Sequence, residues 1–274
     1  MSDNVGNIVR TFYDEVGWET DGGVTEDARR FEDLRECARD YVSKCRLRVL
    51  RHIPARGSNI LDVASGPIQF KEYLEYSKNF GKRYCVDLSA KALSAAKEKI
   101  GDHGVFLHGD FLDIHLDENF FDCSISLHTI YHIDKDAQEQ AVRKLVRVTR
   151  PGQPVVIVYS NPNTLFRRLY RPFLFARTIQ RKLRGLLQRS AEAAGHELYF
   201  HPHPIEWWNR FVDIADVRIV PWRSFASKHQ ALLIPNGRLG RKMFEYLFEL
   251  EDKFPVFFAR HFQYPMIILT KRRS

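Results

Sequence analysis

The feature that most constrains this chain is an alternation running from residue 58 to residue 160. Short apolar runs of strand length, bounded by turn residues, take turns with longer stretches of helical period. SNILDVAS (58–65) is apolar on both faces, as in a sheet covered on both sides. PIQFKEYLEYSKNF (67–80) reads as helix, RYCVDLS (83–89) as strand and AKALSAAKEKI (90–100) as helix. GVFLHGD (104–110) and FFDCSISL (120–127) read as strands, KDAQEQAVRKLVRVT (135–149) as helix, and QPVVIVYS (153–160) as a fifth strand. This β-α-β-α-β…β-α-β order predicts an α/β fold: a Rossmann-like, doubly wound, mostly parallel sheet with right-handed crossovers and helices on both faces.

The flanks are organised differently. NIVRTFYDEVGW (7–18) reads as a first helix, Gly22-Gly23 as an interruption, and Glu26 to Arg51 as a long polar-amphipathic helical stretch. After residue 160 the rhythm breaks into an aromatic, basic segment, 161–205. PIEWWNRFVDIA (204–215) then reads as helix, DVRIVPWRSF (216–225) as strand, GRLGRKMFEYLFELEDKF (237–254) as helix and QYPMIILTKR (263–272) as a last strand. One sheet completed late in the chain is expected. It would comprise a helical N-terminal cap (1–56), a ligand-binding core (57–160), a basic insert or lid (161–205) and a completion of the sheet (206–274).

Hydrophobic residues make up 44% of the 274, which supports a sizeable core and argues against disorder. The longest apolar runs, PVVIVY (154–159) and PMIIL (265–269), are far short of the ~20 residues of a membrane span. The start, MSDNVGNIVR, lacks the apolar region of a secretory signal. Cys37, Cys45, Cys85 and Cys123 show no CxxC pairing, so reduced, buried thiols in a cytoplasmic protein are expected.

In an open α/β sheet, ligands bind beyond the carboxyl ends of the strands, near the switch in strand order. Four strand ends here carry informative residues. LDVASGP (61–67) holds Gly66 at a sharp strand-to-helix turn, with Asp62 placed to accept from a cationic ligand group. Asp87, 21 residues after Gly66, ends the second strand where such folds bind ribose hydroxyls. Asp110 ends the third beside Phe111, a ring suited to stacking on a base. SLHTIYHI (126–133) follows the fourth. Each acid alone also fits a helix cap or turn; together they favour a nucleoside. The segment Ala64-Ser65-Gly66-Pro67-Ile68-Gln69 lacks the GxGxxG phosphate fingerprint, which disfavours NAD and FAD.

In their order and spacing, ILDVASGP, CVDLS, HGDF, FFDCSISLHTIYHI and VRKLVRVTRPGQPVVIVYS resemble the successive motifs of class I S-adenosylmethionine-dependent methyltransferases, closest to small-molecule enzymes of quinone and natural-product biosynthesis. The resemblance covers about 58–160 and extends more loosely to 263–272, which implies a seven-stranded sheet with an antiparallel last strand. It implies S-adenosylmethionine as cofactor and S-adenosylhomocysteine as product. It assigns Asp62, Ala64, Ser65 and Gly66 to the methionine part, Asp87 to the ribose diol, Leu88 to packing on the adenosine, and Asp110 and Phe111 to adenine. Leu127 and His128 would line the wall below the sulfonium, and Tyr13 is similar to tyrosines that cover the methionine carboxylate. Ala64 and Ile68 stand where the family has its first and third glycines, so a tighter or displaced loop is expected.

Methyl transfer from a sulfonium needs alignment and exclusion of water, and sometimes removal of a proton. His128, His132 and the intervening Tyr131 are candidates for a base or an acceptor anchor, because an imidazole titrates near neutrality; capping and packing are the plain alternatives. HTIYH has zincin spacing, but Thr129 replaces the required Glu, and His201-Pro-His203 reads as loop, so no metal site is expected. Trp207, Trp208, Tyr199 and Phe200 fit an acceptor pocket and core packing equally well. Residues 161–190 hold eight cations and no acid, interleaved with aromatic and aliphatic side chains, while the rest of the chain is near neutral overall. Within them, 164–190 suits a lid or a clamp on an anionic lipid or membrane surface, which would make the protein peripheral at the inner membrane. The leading expectation is methyl transfer to a small-molecule acceptor, anionic, glycan-linked or lipid-linked. An RNA or protein methyltransferase and a non-catalytic nucleoside-binding or membrane-associated protein are the alternatives. The lack of an RNA-binding module, and of an NPPY-type motif after the fourth strand, counts against nucleic acid.

Overall fold

The computed structural model describes residues 2–21, 24–169 and 198–273. Nine strands are formed there: β1 (Thr20–Asp21), β2 (Val24–Thr25), β3 (Gly57–Val63), β4 (Phe80–Asp87), β5 (Gly104–His108), β6 (Cys123–Leu127), β7 (Pro154–Val158), β8 (Ala215–Arg223) and β9 (Tyr264–Lys271). β1 and β2 make a small hairpin, and the other seven form one sheet in the order β5-β4-β3-β6-β7-β9-β8. Pairing is parallel from β5 to β7, and β9 runs antiparallel to both β7 and β8. The crossovers diverge between β3 and β6, so a crevice opens at their carboxyl ends.

The doubly buried strands bury alternate residues on opposite faces. Leu61, Val63, Val155 and Ile157 pack with the helix Gln138–Val148 and with Trp208 and Phe211, whereas Ile60, Ile125, Val156 and Val158 face Val49, Tyr76 and Trp222. Trp207 and Trp208 are therefore core residues on the first face. The N-terminal helices pack on the late ones: Cys37, Tyr41, Val42 and Cys45 meet Ile234 and Phe244. Arg48 and Glu251, both buried, ion-pair at 2.5 Å, and Tyr41 Oη donates to Glu251 at 2.7 Å. All four cysteines are free and buried, and among the described residues no helix is long and apolar enough to cross a membrane.

Helix boundaries depart from the sequence reading in four places. The first helix is Ser2–Phe12, and Tyr13–Gly17 continues as a wider π turn. The 26–51 stretch is broken into Glu26–Phe31 and Arg39–Leu47 with 3-10 turns. Asp33 Oδ1 accepts from the Arg35 backbone N–H at 3.2 Å, a local turn that competes with the helix. The 67–80 helix shrinks to Lys71–Leu74 and a 3-10 turn, because the loop after β3 extends through Phe70. The 204–215 helix is a 3-10 segment, Ile205–Phe211. The helices Ser227–Leu233 and Pro255–His261 and the β1–β2 hairpin were not anticipated. Gly22 and Gly23 lie outside the described residues, as do 170–197, most of the insert and of the segment assigned to lipid contact.

Candidate active site

The turn after β3 is held in an unusual backbone. Ala64, Gly66 and Ile68 all take left-handed φ values of 55°, 55° and 48°. For a residue with a Cβ this costs about 1–2 kcal/mol, and a β-branched residue there is an outlier. Surrounding contacts hold it: Ala64 N–H donates to Val86 O at 2.7 Å, and Lys99 Nζ donates to the carbonyls of Pro67 at 2.7 Å and Ile68 at 2.9 Å. The Ile68 side chain is buried against Cys85, Leu93 and Ala96. The two missing glycines thus leave the left-handed turn in place, at a cost in strain, rather than tightening it. At Gly66 a Cβ would lie 3.0 Å from the Trp18 indole, which covers the loop from above.

The strand-end acids have distinct jobs. Asp62 is buried and ion-paired through Oδ2 with the buried Arg83, whose Nε donates at 3.1 Å. Asp87 Oδ2 accepts from Gly66 N–H at 2.8 Å and Oδ1 from Ser89 N–H at 2.9 Å, so this carboxylate ties the β3 loop to the end of β4. Burial pushes the Asp87 pKa up to about 6, against the lowering effect of those two bonds. Asp110 Oδ1 accepts from Leu112 N–H at 2.8 Å, and the N-terminal helix crosses above it, with Gly6 facing Asp110 Oδ2. Phe111, expected as a base-stacking ring, borders the cavity and also packs into the main core; Lys144 Nζ lies 5.0 Å from its centroid and donates to three carbonyls of the same turn. Tyr13 stacks on Trp18 with centroids 4.9 Å apart.

Below the loop, His128 has a left-handed φ of 60°. Burial, then the Arg223 charge, holds its pKa well below the ordinary imidazole value, while burial keeps the Tyr131 phenol protonated. Tyr131 Oη and His128 Nδ1 share a hydrogen bond at 3.0 Å. His132 Nδ1 lies 2.6 Å from the Tyr199 carbonyl, which requires its N–H there and leaves Nε2 with the lone pair. Burial lowers the His132 pKa to about 4. His203 stacks flat on Trp207 at 4.6 Å, in irregular backbone.

Tyr13, Asp62, Ala64, Ser65, Gly66, Asp87, Leu88, Asp110, Phe111, Leu127, His128, Tyr131 and His132 all line one cavity of about 580 Å³, within the ~300–1,000 Å³ of small-molecule sites. Trp207, Trp208 and Tyr199 do not line it; Phe200 does. Sequence reasoning missed Trp18, Asp27, Glu32, Gln69, Tyr73, Arg223 and Tyr264, which complete the wall. Acids at 26–27 read as ordinary first-turn residues of a helix capped by Thr25, whose Oγ1 accepts from Ala28 N–H at 3.2 Å, and no local pattern marks them as cavity residues. Glu32 ion-pairs with Arg223 at 2.7 Å and Arg46 at 3.3 Å, partners visible only after folding.

A family model described as a methyltransferase domain matches residues 61–157. An uncharacterized methyltransferase of Geobacillus sp. (strain WCH70) is 26% identical over 170 residues, 61% of this chain and 73% of the relative. Over residues 61–157 the chain carries a methyltransferase domain. Haemonchus contortus phosphoethanolamine N-methyltransferase 2, solved with S-adenosyl-L-methionine, superposes with a TM-score of 0.54 at 14% identity, over 97% of this chain and 60% of that one. This methyltransferase thus spans about 60% of the Haemonchus chain's length. Geranyl diphosphate C-methyltransferase of Streptomyces coelicolor A3(2), solved with Mg2+, geranyl diphosphate and S-adenosyl-L-homocysteine, gives 0.56 at 15% identity, over 97% and 98% of the two chains. At these identities the likeness is one of fold. The residues present in the methyltransferase fit the cofactor: acids close two successive strand ends, and the buried Trp18 Nε1–H above the loop has no protein partner.

Proposed function

We propose that this methyltransferase transfers its methyl group to a small-molecule acceptor held in the cavity that also holds the cofactor. The observation that carries the reading is the continuity of that cavity: one wall runs from Asp110 past the β3 loop to His128, His132 and Tyr264. The names of the two structural neighbours, one acting on phosphoethanolamine and one on geranyl diphosphate, support an acceptor of small-molecule size.

In this reading Asp87 accepts from the ribose hydroxyls with the lone pairs its two backbone donors leave, and Asp110 accepts from the adenine amine. Ala64, Ser65 and Gly66 present backbone to the methionine part, Tyr13 and Trp18 cover it, and Leu88 and Leu127 supply apolar contact. When bound, the cofactor supplies an electrophilic methyl on a sulfonium. The chain orients the acceptor and excludes water. His128 and His132, neutral at physiological pH, serve as hydrogen-bond partners for the acceptor rather than as strong bases. A thermal-shift panel tests the reading: S-adenosylmethionine and S-adenosylhomocysteine should raise Tm by several degrees while NAD and ATP do not. Equal shifts with all four would refute it.

A further inference from the structure

Two acid-free stretches of sequence meet beside the rim of the cavity. From Ser224 to Phe244 there is no Asp or Glu, while Lys228, Arg238, Arg241 and Lys242 supply cations. From Asn161 to Ser190 there is none either, and Arg167 and Arg168 open the basic run. Distant in the chain, the two come together where the Phe166 ring packs on His229, centroids 4.3 Å apart. Residues 165–169 are helical there, and His229 sits in the helix Ser227–Leu233. The loop after that helix folds onto the next one, Gly237–Lys253: Ile234 packs with Phe244, and a Cβ on Gly240 would strike the Pro235 carbonyl oxygen.

What this junction shows to solvent is aliphatic and cationic. Leu169 is 71% exposed, Leu232 66% and Leu239 63%, and Leu165, Leu233 and Met243 are exposed as well. Leu165 and Leu169 stand one helical turn apart, as do Lys228 and Leu232, and Leu239 and Met243, so each pair shares a side of its helix. Among the described residues Arg167, Arg168, Lys228, Arg238 and Lys242 make no ion pair, whereas Arg241 is held by Glu36 at 3.2 Å. Asp33, beside the joining loop, is held by Arg35 at 2.7 Å, and the next acids in sequence are Glu245 and Glu249. Lys228 also lines the cavity with Ala226 and Ser227, so the surface begins at the rim. An exposed apolar patch rimmed by charge marks a contact. A single-stranded nucleic acid would use the cations but stacks its bases on rings, not on leucines. An anionic bilayer matches both: its headgroups take the cations, and the edge of its acyl region takes the leucines.

We propose that this face, residues 165–169 together with 228–243, seats on an anionic lipid bilayer and turns the cavity rim toward it. The surface stands on its own charges and leucines. Its use rests on the methyl-transfer reading of the cavity: an acceptor with an apolar tail reaches the lumen past Lys228 and Ser227 without crossing bulk water. Docking of this kind lays the chain on the interface, with the leucines at the boundary between headgroups and acyl chains.

The test is co-sedimentation of the full chain with vesicles of phosphatidylcholine, alone or with about 30% phosphatidylserine. Binding should be at least ~10-fold tighter to the anionic vesicles and should weaken as salt rises from ~0.1 to ~0.5 M. Two variants split the face. Arg167→Glu, Arg168→Glu, Arg238→Glu and Lys242→Glu, made together, should lose the anionic vesicles by at least ~10-fold. Leu169→Ser with Leu232→Ser keeps every charge and should still lose at least ~5-fold, which charge attraction alone does not produce. None of the altered residues lines the cavity, so both variants should keep S-adenosylhomocysteine affinity within about twofold by calorimetry. Equal binding to the two vesicle types, no binding to either, indifference to salt, or undiminished binding in either variant overturns the proposal. So does a single-stranded RNA that displaces the chain from vesicles and binds the leucine variant as well as wild type, which would make the face a nucleic-acid clamp. Loss of S-adenosylhomocysteine binding in wild type with vesicle binding intact would sink the methyl-transfer reading instead.

Discussion

At the cofactor end of the cavity the decisive contacts join residues close in the chain, whereas at the acceptor end they join residues from opposite ends of it. Asp87 reaches Gly66 across 21 residues and Arg83 reaches Asp62 across 21, one β-α-β unit each. Glu32 reaches Arg223 across 191. The strand-end part of the first site is specified by one supersecondary unit, with Tyr13 and Trp18 added from the N-terminal segment. The second exists only when the N-terminal helices dock on the completed sheet. The difference separates what is generic, a strand-end nucleoside site, from what is particular to this chain, the wall that meets the acceptor.

The two ends should therefore fail differently. Glu32→Gln removes the charge that neutralises the buried Arg223 and Arg46 and should cost about 3–5 kcal/mol of unfolding free energy, read by urea denaturation. The folded fraction should still bind S-adenosylhomocysteine within threefold of wild type; a large loss there would show that the ends are coupled. Asp87→Ala removes two charge-assisted bonds that hold the loop, together with the ribose acceptor, and should weaken S-adenosylhomocysteine binding about 100-fold, or ~2.7 kcal/mol, by calorimetry.

The pH dependence of stability sharpens the contrast. An Asp27 pKa of about 7 in the folded chain, against ~3.9 unfolded, means the native state holds a proton the unfolded chain has already lost between pH ~4 and 7. Stability should fall as pH rises through that window and level off above it. Asp87, at about 6, adds a slope of the same sign that ends earlier. Asp27→Asn should flatten the stretch between pH 6 and 7 in urea midpoints and roughly halve the slope between pH ~4 and 6. The smallest effect belongs to Ala64→Gly. Glycine relieves the left-handed strain but adds chain entropy, so a gain of at most ~1 kcal/mol is expected in thermal melts, with cofactor affinity unchanged.

How much of this was legible follows the same division. Strand order, the acids at 62, 87 and 110 and the histidines at 128 and 132 could be read because parallel strands buried on both faces carry continuous apolar runs, and ligands gather at their ends. Phe111 both lines the cavity and packs in the core, and an aromatic at a strand end looks the same in sequence for either part. Ile68 hid the length of the turn, since a β-branched residue in left-handed backbone runs against local preference and survives only by tertiary burial. Asp27, Glu32, Tyr73 and Arg223 had no local mark: their function depends on partners far away in the chain.

The most direct test of the divided cavity is a calorimetric titration of S-adenosylhomocysteine into wild type, Asp87→Ala and Asp27→Asn, side by side. One site per chain is predicted in wild type, with affinity lost about 100-fold in Asp87→Ala and kept within twofold in Asp27→Asn. Equal losses in the two variants would contradict the division, because both carboxylates would then belong to a single cofactor site.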